Sequence, residues 1–76
     1  MDTREMEIFL KAADYHSLTK VANEFGMTQP AVSAVIKRVE ELNGTPLFLR
    51  QGRQLVLNQM GRHFYQVASA ICRSCN

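Results

Sequence analysis

A mainly α-helical domain with one β-hairpin is what the 76-residue sequence predicts, on three observations. Apolar residues recur at i, i+3, i+4 and i+7 in several stretches, the spacing of a single buried helix face. Between Leu18 and Lys37, Ala22 and Gly26 stand four apart among Val21, Phe25, Met27, Val32, Val35 and Ile36, a pattern of two short helices meeting at a tight turn. Ala22 is small enough for a close crossing, and glycine at 26 suits the left-handed conformation that ends a helix. The third observation is a pair of short apolar runs, Leu47-Phe48-Leu49-Arg50 and Arg53-Gln54-Leu55-Val56-Leu57, joined through Gln51-Gly52, which reads as a hairpin.

Each element has its own warrant. The first helix is expected over residues 3–14, with Met6, Phe9, Leu10 and Ala13 facing a core and Asp2 or Thr3 as the cap. Glu5 and Glu7 suit the positive end of its dipole. Tyr15-His16-Ser17 is the expected connection, and Ser17 caps a second helix from Leu18 to Phe25. Leu18, Val21, Ala22 and Phe25 form its buried face; Lys20 and Glu24 point outward. After the turn Gly26-Met27-Thr28, Thr28 caps a third helix, where Pro30 in the first turn sacrifices no hydrogen bond. Val32, Val35, Ile36, Val39 and Leu42 make the inward stripe, and Asn43-Gly44 followed by Pro46 ends the helix. Its opposite face carries Gln29, Pro30, Ser33, Ala34 and Lys37, with Arg38 to one side.

A short helix, a tight turn, a longer helix and then a hairpin make up a winged helix-turn-helix, in which the longer helix enters the major groove of DNA. At about fifteen residues that helix spans roughly 22 Å, enough to place its first turns in a groove while its rear is packed. Phe48, Leu55 and Leu57 are expected to cover the core, while Arg50 and Arg53 flank the hairpin tip, where basic residues meet phosphate or the minor groove. Asn58 caps a fourth helix in which Met60, Phe64, Val67 and Ile71 lie four, three and four apart, with Ala68 and Cys72 beside them. That is nearly two heptads of a coiled-coil seam. A helix of this length is marginal alone in water. Part of its stripe is therefore expected on the first helix and the remainder on a second copy of the chain. Residues 1–58 are accordingly read as the winged helix-turn-helix, and 59–76 as a linker and dimerisation helix of the same domain.

Composition bounds the function. With 46% hydrophobic and 21% charged residues the chain is globular rather than disordered. It has no apolar run of membrane-span length and no basic-then-apolar leader at Met1–Phe9, so a cytosolic, membrane-free location is expected. The net charge of +2 is unevenly spread: residues 1–41 hold seven acids against five bases, whereas residues 42–76 hold Arg50, Arg53, Arg62 and Arg73 and no acid. A positive half favours a polyanion, modestly. Cys72 and Cys75 form a lone C-x-x-C, two ligands where structural zinc needs four, so neither metal nor any other cofactor is expected. Phosphate loops, nucleophile elbows and HExxH motifs are absent, and the chain is not expected to be an enzyme.

Several motifs in order resemble one family. Ser17-Leu18-Thr19, Val21-Ala22, Thr28-Gln29-Pro30-Ala31-Val32-Ser33, Ile36 and Glu40, Gly44-x-Pro46-Leu47-Phe48-x-Arg50, and Leu57-Asn58-x-x-Gly61 look like the N-terminal winged helix-turn-helix of LysR-type transcriptional regulators. The molybdate-responsive regulators' N-terminal domain has the same fold and matches less well. The resemblance implies a bacterial transcription factor that binds double-stranded DNA as a homodimer paired through the fourth helix. In that family the helix leads to a large effector-binding domain, which these 76 residues do not include, so no small-molecule response carries over.

Carried onto this sequence, base contacts are expected from Gln29, Pro30, Ser33, Ala34 and Lys37. Backbone contacts are expected from Ser17, Thr19, Thr28, Arg38, Arg50 and Arg53, and dimerisation from Met60, Phe64, Val67, Ala68 and Ile71. The family often places arginine or glutamine after the serine, where Ala34 and Val35 stand here. An arginine–guanine pair contributes about 1–3 kcal/mol of discrimination, so an A·T-tolerant or weakly selective site is expected. Two other functions fit the same residues: an adaptor that pairs with a full-length relative through the fourth helix, and a redox gate in which Cys72 and Cys75 cross-link two such helices.

Overall fold

Four side chains start the four helices. In the computed structural model, which describes residues 2–74 and of residues 73 and 74 the backbone alone, α1 spans Thr3–Tyr15, α2 Leu18–Phe25, α3 Gln29–Asn43 and α4 Gln59–Ser74. Asp2 accepts from the amide of Glu5 at 2.8 Å, Ser17 from Lys20 at 3.3 Å, Thr28 from Ala31 at 3.3 Å and Asn58 from Gly61 at 2.7 Å. Each supplies an acceptor to an amide that the helix itself leaves unpaired. The first three helices end in left-handed residues: His16 at φ 58°, Gly26 at 64° and Gly44 at 70°. Only His16 departs from the glycine rule, and α1 runs one residue past its expected end, through Tyr15.

Two connections hold these pieces at fixed angles. His16 is stitched to the hairpin: the Leu55 amide donates to the His16 carbonyl at 3.1 Å, and His16 Nδ1 donates to the Leu55 carbonyl at 3.0 Å. Asn58 ties the start of α4 to the segment before the hairpin, since its side-chain amide donates to the Pro46 carbonyl at 2.9 Å and its backbone amide to Leu47 at 3.0 Å. Gly61 sits so close to that segment that a Cβ there would fall 2.0 Å from the Leu47 carbonyl oxygen. The Leu57-Asn58-x-x-Gly61 motif is therefore the seat of α4.

Strands β1 (Phe48–Gln51) and β2 (Gln54–Leu57) pair antiparallel, with Phe48 opposite Leu57, Arg50 opposite Leu55 and Gln51 opposite Gln54. The two-residue turn is Gly52-Arg53, one residue later than the sequence suggested, with Gly52 at φ +61° in the first turn position. The core lies between α1, α2, α3 and the hairpin and is built on Ile8, Phe9, Val21, Val32, Val39 and Leu47, each at most 1% exposed. Phe9 is its hub: edge-to-face partners Phe48 and Phe64 lie 5.3 and 5.0 Å away, joining the hairpin and α4 to α1.

Leu42 corrects the expected inward stripe. It is 62% exposed, because the last turn of α3 runs past its packing partners and Leu47 closes the core beyond Val39. The stripe on α4 is split. Phe64 and the fully buried Ala68, both expected at a dimer seam, are instead taken up within the chain, while Met60, Val67 and Ile71 remain 45–51% exposed.

Candidate nucleic-acid interface

One face of α3 is committed to the core, and that fixes what the other face presents. Val32, Val35, Ile36 and Val39 are buried, so Gln29, Pro30, Ser33, Ala34 and Lys37 all stand exposed on the outer side of its first half. Ala31 lies between the two faces, half-buried. Val35, at one of the positions where long polar residues are common, points into the core at 6% exposure and has no access to a ligand. The available chemistry is sparse: one amide, one hydroxyl and one ammonium, with a proline ring and a methyl group between them.

The hairpin register decides where its arginines go. Alternation along β1 puts Phe48 and Arg50 on one face, with Leu55 and Leu57 across from them. That is the face turned toward the helices. Arg50 consequently does not flank the tip; it lines a cleft of about 250 Å³ together with Leu18, Ser33, Ile36, Lys37, Glu40, Phe48 and Leu55. Arg53 occupies the turn itself and is exposed. The two arginines thus serve different places, one beside the outer face of α3 and one at the far end of the wing.

Two of the three expected backbone-contacting hydroxyls, Ser17 and Thr28, are helix caps. Ser17 and Thr28 accept at the starts of α2 and α3 through their oxygens, which leaves each hydroxyl proton free to donate outward beside the positive end of a helix. Thr19 and Lys20 are exposed in the first turn of α2. Arg38 has another commitment. Its Nε lies 2.8 Å from Glu5, whose side chain is 17% exposed, so the guanidinium is first of all a tie between α3 and α1.

Glu40 is the residue that sequence reasoning did not assign to the site, although it belongs to the matched motif. Its Oε2 accepts from the amides of Leu47 at 2.7 Å and Phe48 at 3.2 Å, and its side chain also lines the cleft beside Lys37 and Arg50. The contact left no periodic signal because α3 ends at Asn43, before Leu47 is reached. Cys72 is a half-buried free thiol; its partner in the C-x-x-C pair, Cys75, falls outside the described residues, as does any test of a redox gate. Among the described residues no three histidine, cysteine or acidic side chains converge on a metal position, and no helix is long and apolar enough to cross a membrane.

Comparison with known proteins places this geometry. The family described as bacterial regulatory helix-turn-helix protein, lysR family, matches residues 3–62. The HTH-type transcriptional regulator CbbR of Rhodospirillum rubrum is 50% identical over 58 residues, 76% of this chain and 20% of CbbR. YybE of Bacillus subtilis, an uncharacterised HTH-type transcriptional regulator, is 40% identical over 96% of this chain and 25% of its own length. The chain thus spans about a fifth to a quarter of these relatives. Among solved structures, the BenM DNA-binding domain in complex with catB site 1 DNA superposes with a TM-score of 0.91 at 29% identity, covering 99% of this chain and 81% of that one. Fold, motif order and relatives agree: the chain belongs to the LysR family of bacterial helix-turn-helix regulators and carries its winged helix-turn-helix domain.

Proposed function

We propose that the domain binds double-stranded DNA as a homodimer to regulate transcription, with the first half of α3 in the major groove and the hairpin against the flanking backbone. The observation that carries this reading is the two-sided character of α3: its inner face is buried from Val32 to Val39, while Gln29, Pro30, Ser33, Ala34 and Lys37 form one continuous exposed face. The BenM domain of the same fold is seen on DNA, and CbbR is named a transcriptional regulator. Dimerisation is supported by Met60, Val67 and Ile71, large apolar side chains left about half exposed along α4.

In this arrangement Gln29, Ser33 and Lys37 offer hydrogen bonds to base edges, and Pro30 or Ala34 can meet a thymine methyl. Ser17, Thr19, Thr28, Arg50 and Arg53 hold the phosphates, with Arg38 joining them only in so far as Glu5 releases it. With no arginine reading guanine, selectivity rests on few contacts, and an A·T-tolerant half-site follows.

Selection of bound duplexes from a random pool tests the reading. Recovered sequences should contain two related half-sites about one helical turn apart, or a multiple of it. Gln29→Ala or Ser33→Ala should relax the selected sequence. Arg53→Ala should weaken all sequences alike and reduce the salt dependence by about one phosphate contact. An unenriched pool would refute sequence-dependent binding, and unchanged affinity for Arg53→Ala across a salt series would refute the role of the wing.

A further inference from the structure

We infer that Glu40 is a positioning residue for DNA binding: by clamping the start of β1 to the end of α3, it sets where the wing arginines lie relative to the recognition face. This rests on the DNA-binding reading above and assigns the part of the machinery that fixes its two contact surfaces to each other.

Three observations converge on this carboxylate. A single oxygen, Oε2, accepts from two consecutive amides, Leu47 at 2.7 Å and Phe48 at 3.2 Å. Those amides open β1, whose first pair is Phe48 with Leu57, so the clamp acts at the root of the hairpin. Leu47 itself is 1% exposed, which leaves its amide little access to water as a substitute partner. The third observation is location. Glu40 shares the cleft with Ser33, Lys37 and Arg50, the groups expected to face DNA.

Charge argues that the position is held for geometry. A carboxylate beside an interface with a polyanion opposes binding through Coulomb repulsion. It is tolerable there if its hydrogen bonds deliver something larger, and what they deliver is the placement of Arg50, two residues beyond Phe48. Leucine, methionine or alanine at this position would remove the repulsion but release both amides.

Three variants separate the hydrogen bonds from the charge. Glu40→Gln keeps a carbonyl oxygen at the same reach and loses the charge. Glu40→Asp keeps the charge and is one methylene too short to serve both amides. Glu40→Ala loses both. Fluorescence anisotropy on a selected duplex across a salt series gives affinity and the number of phosphates engaged, and amide exchange at Leu47 and Phe48 without DNA reads the clamp directly. Glu40→Gln should bind as tightly as the parent or more tightly, with the same salt slope and protected amides. Glu40→Asp and Glu40→Ala should lose about tenfold or more in affinity, with a slope lower by about one to two contacts and faster exchange at both amides. If Glu40→Ala does not fold, Glu40→Asp carries the comparison. A folded Glu40→Asp with parental slope and protection overturns the inference. Failure of the parent chain to bind any duplex would instead remove the DNA-binding reading, while the exchange data still decide whether Glu40 holds the hairpin root.

Discussion

Individual residues in this domain combine structural and exposed roles, and Tyr15 shows how one can be checked. Its hydroxyl donates to Glu24 Oε1 at 2.6 Å, linking the end of α1 to α2, and Lys11 lies 5.5 Å above its ring. The bond to Glu24 holds the Tyr15 pKa above its ordinary 10.0, with desolvation and the Glu24 charge adding to the effect and Lys11 opposing it. Because the folded state favours the neutral phenol, the associated stabilisation is complete below the ordinary value and is lost as pH rises through the elevated one. In a Tyr65→Phe background, phenolate absorbance reports Tyr15 alone, and its midpoint should lie above 10.0. Adding Tyr15→Phe should flatten the alkaline fall in stability; a fall that persists unchanged would assign it to other groups. Arg38 makes the complementary point: exposure and charge suited it to phosphate, yet its nearest partner is Glu5 on another helix.

At the scale of elements, what was legible in the sequence was local. Caps and terminators declare themselves within four residues, so Ser17, Thr28, Asn58, Gly26 and Gly44 could be placed from spacing, and each holds its expected position. Long-range ties carry no such signature. The His16–Leu55 stitch spans 39 residues, and the Glu40 clamp joins α3 to the segment beyond its end; in neither do the two partners share an element whose period could report the contact. Leu42 failed for a related reason: periodicity says which side of a helix faces inward, but not where the neighbouring elements stop. The candidate base-contacting face was readable because it is the complement of the core stripe, whereas the place of Arg50 required the strand register. Gly61 tests how tightly α4 is seated. Alanine would gain about 1 kcal/mol in helix propensity. Against that, its Cβ would meet the Leu47 carbonyl oxygen at 2.0 Å and Leu57 at 2.9 Å, and overpacking of this kind costs about 1–3 kcal/mol or more. The contact is with backbone, which cannot swing aside, so overpacking should win. Urea unfolding of Gly61→Ala should show a lower midpoint; an equal or higher one would mean that α4 sits further from the hairpin root.

For the whole molecule the decisive question is what the exposed side of α4 does while its other side is packed. Phe64 holds it to α1 through Phe9, Ala68 is fully buried, and Tyr65 donates to Asp14 at 2.6 Å, so its orientation relative to α3 is set within one chain. Met60, Val67 and Ile71 are then presented at a fixed angle to the exposed face of α3. If a second copy covers them, the distance between two recognition helices, and hence the half-site spacing, is built into the fold rather than chosen on binding. Val67→Glu with Ile71→Glu separates the two roles. Both side chains are about half exposed in the single chain, at 45% and 47%, so monomer stability should change by about 0.5 kcal/mol or less. Phe64→Ala, by contrast, should cost about 2–3 kcal/mol, because it removes a half-buried ring that packs edge-to-face on Phe9. Across a twofold axis the four carboxylates of the doubly substituted pair would face one another, and sedimentation should show the parent as a dimer and the variant as a monomer. Joined half-sites gain from the effective concentration that linkage supplies, roughly 100- to 10,000-fold. The variant should therefore lose about 100-fold or more on a duplex with two half-sites and little on a duplex with one. A variant that stays dimeric would place the interface elsewhere; a monomer with unchanged affinity for the double site would show that each domain reads its half-site independently.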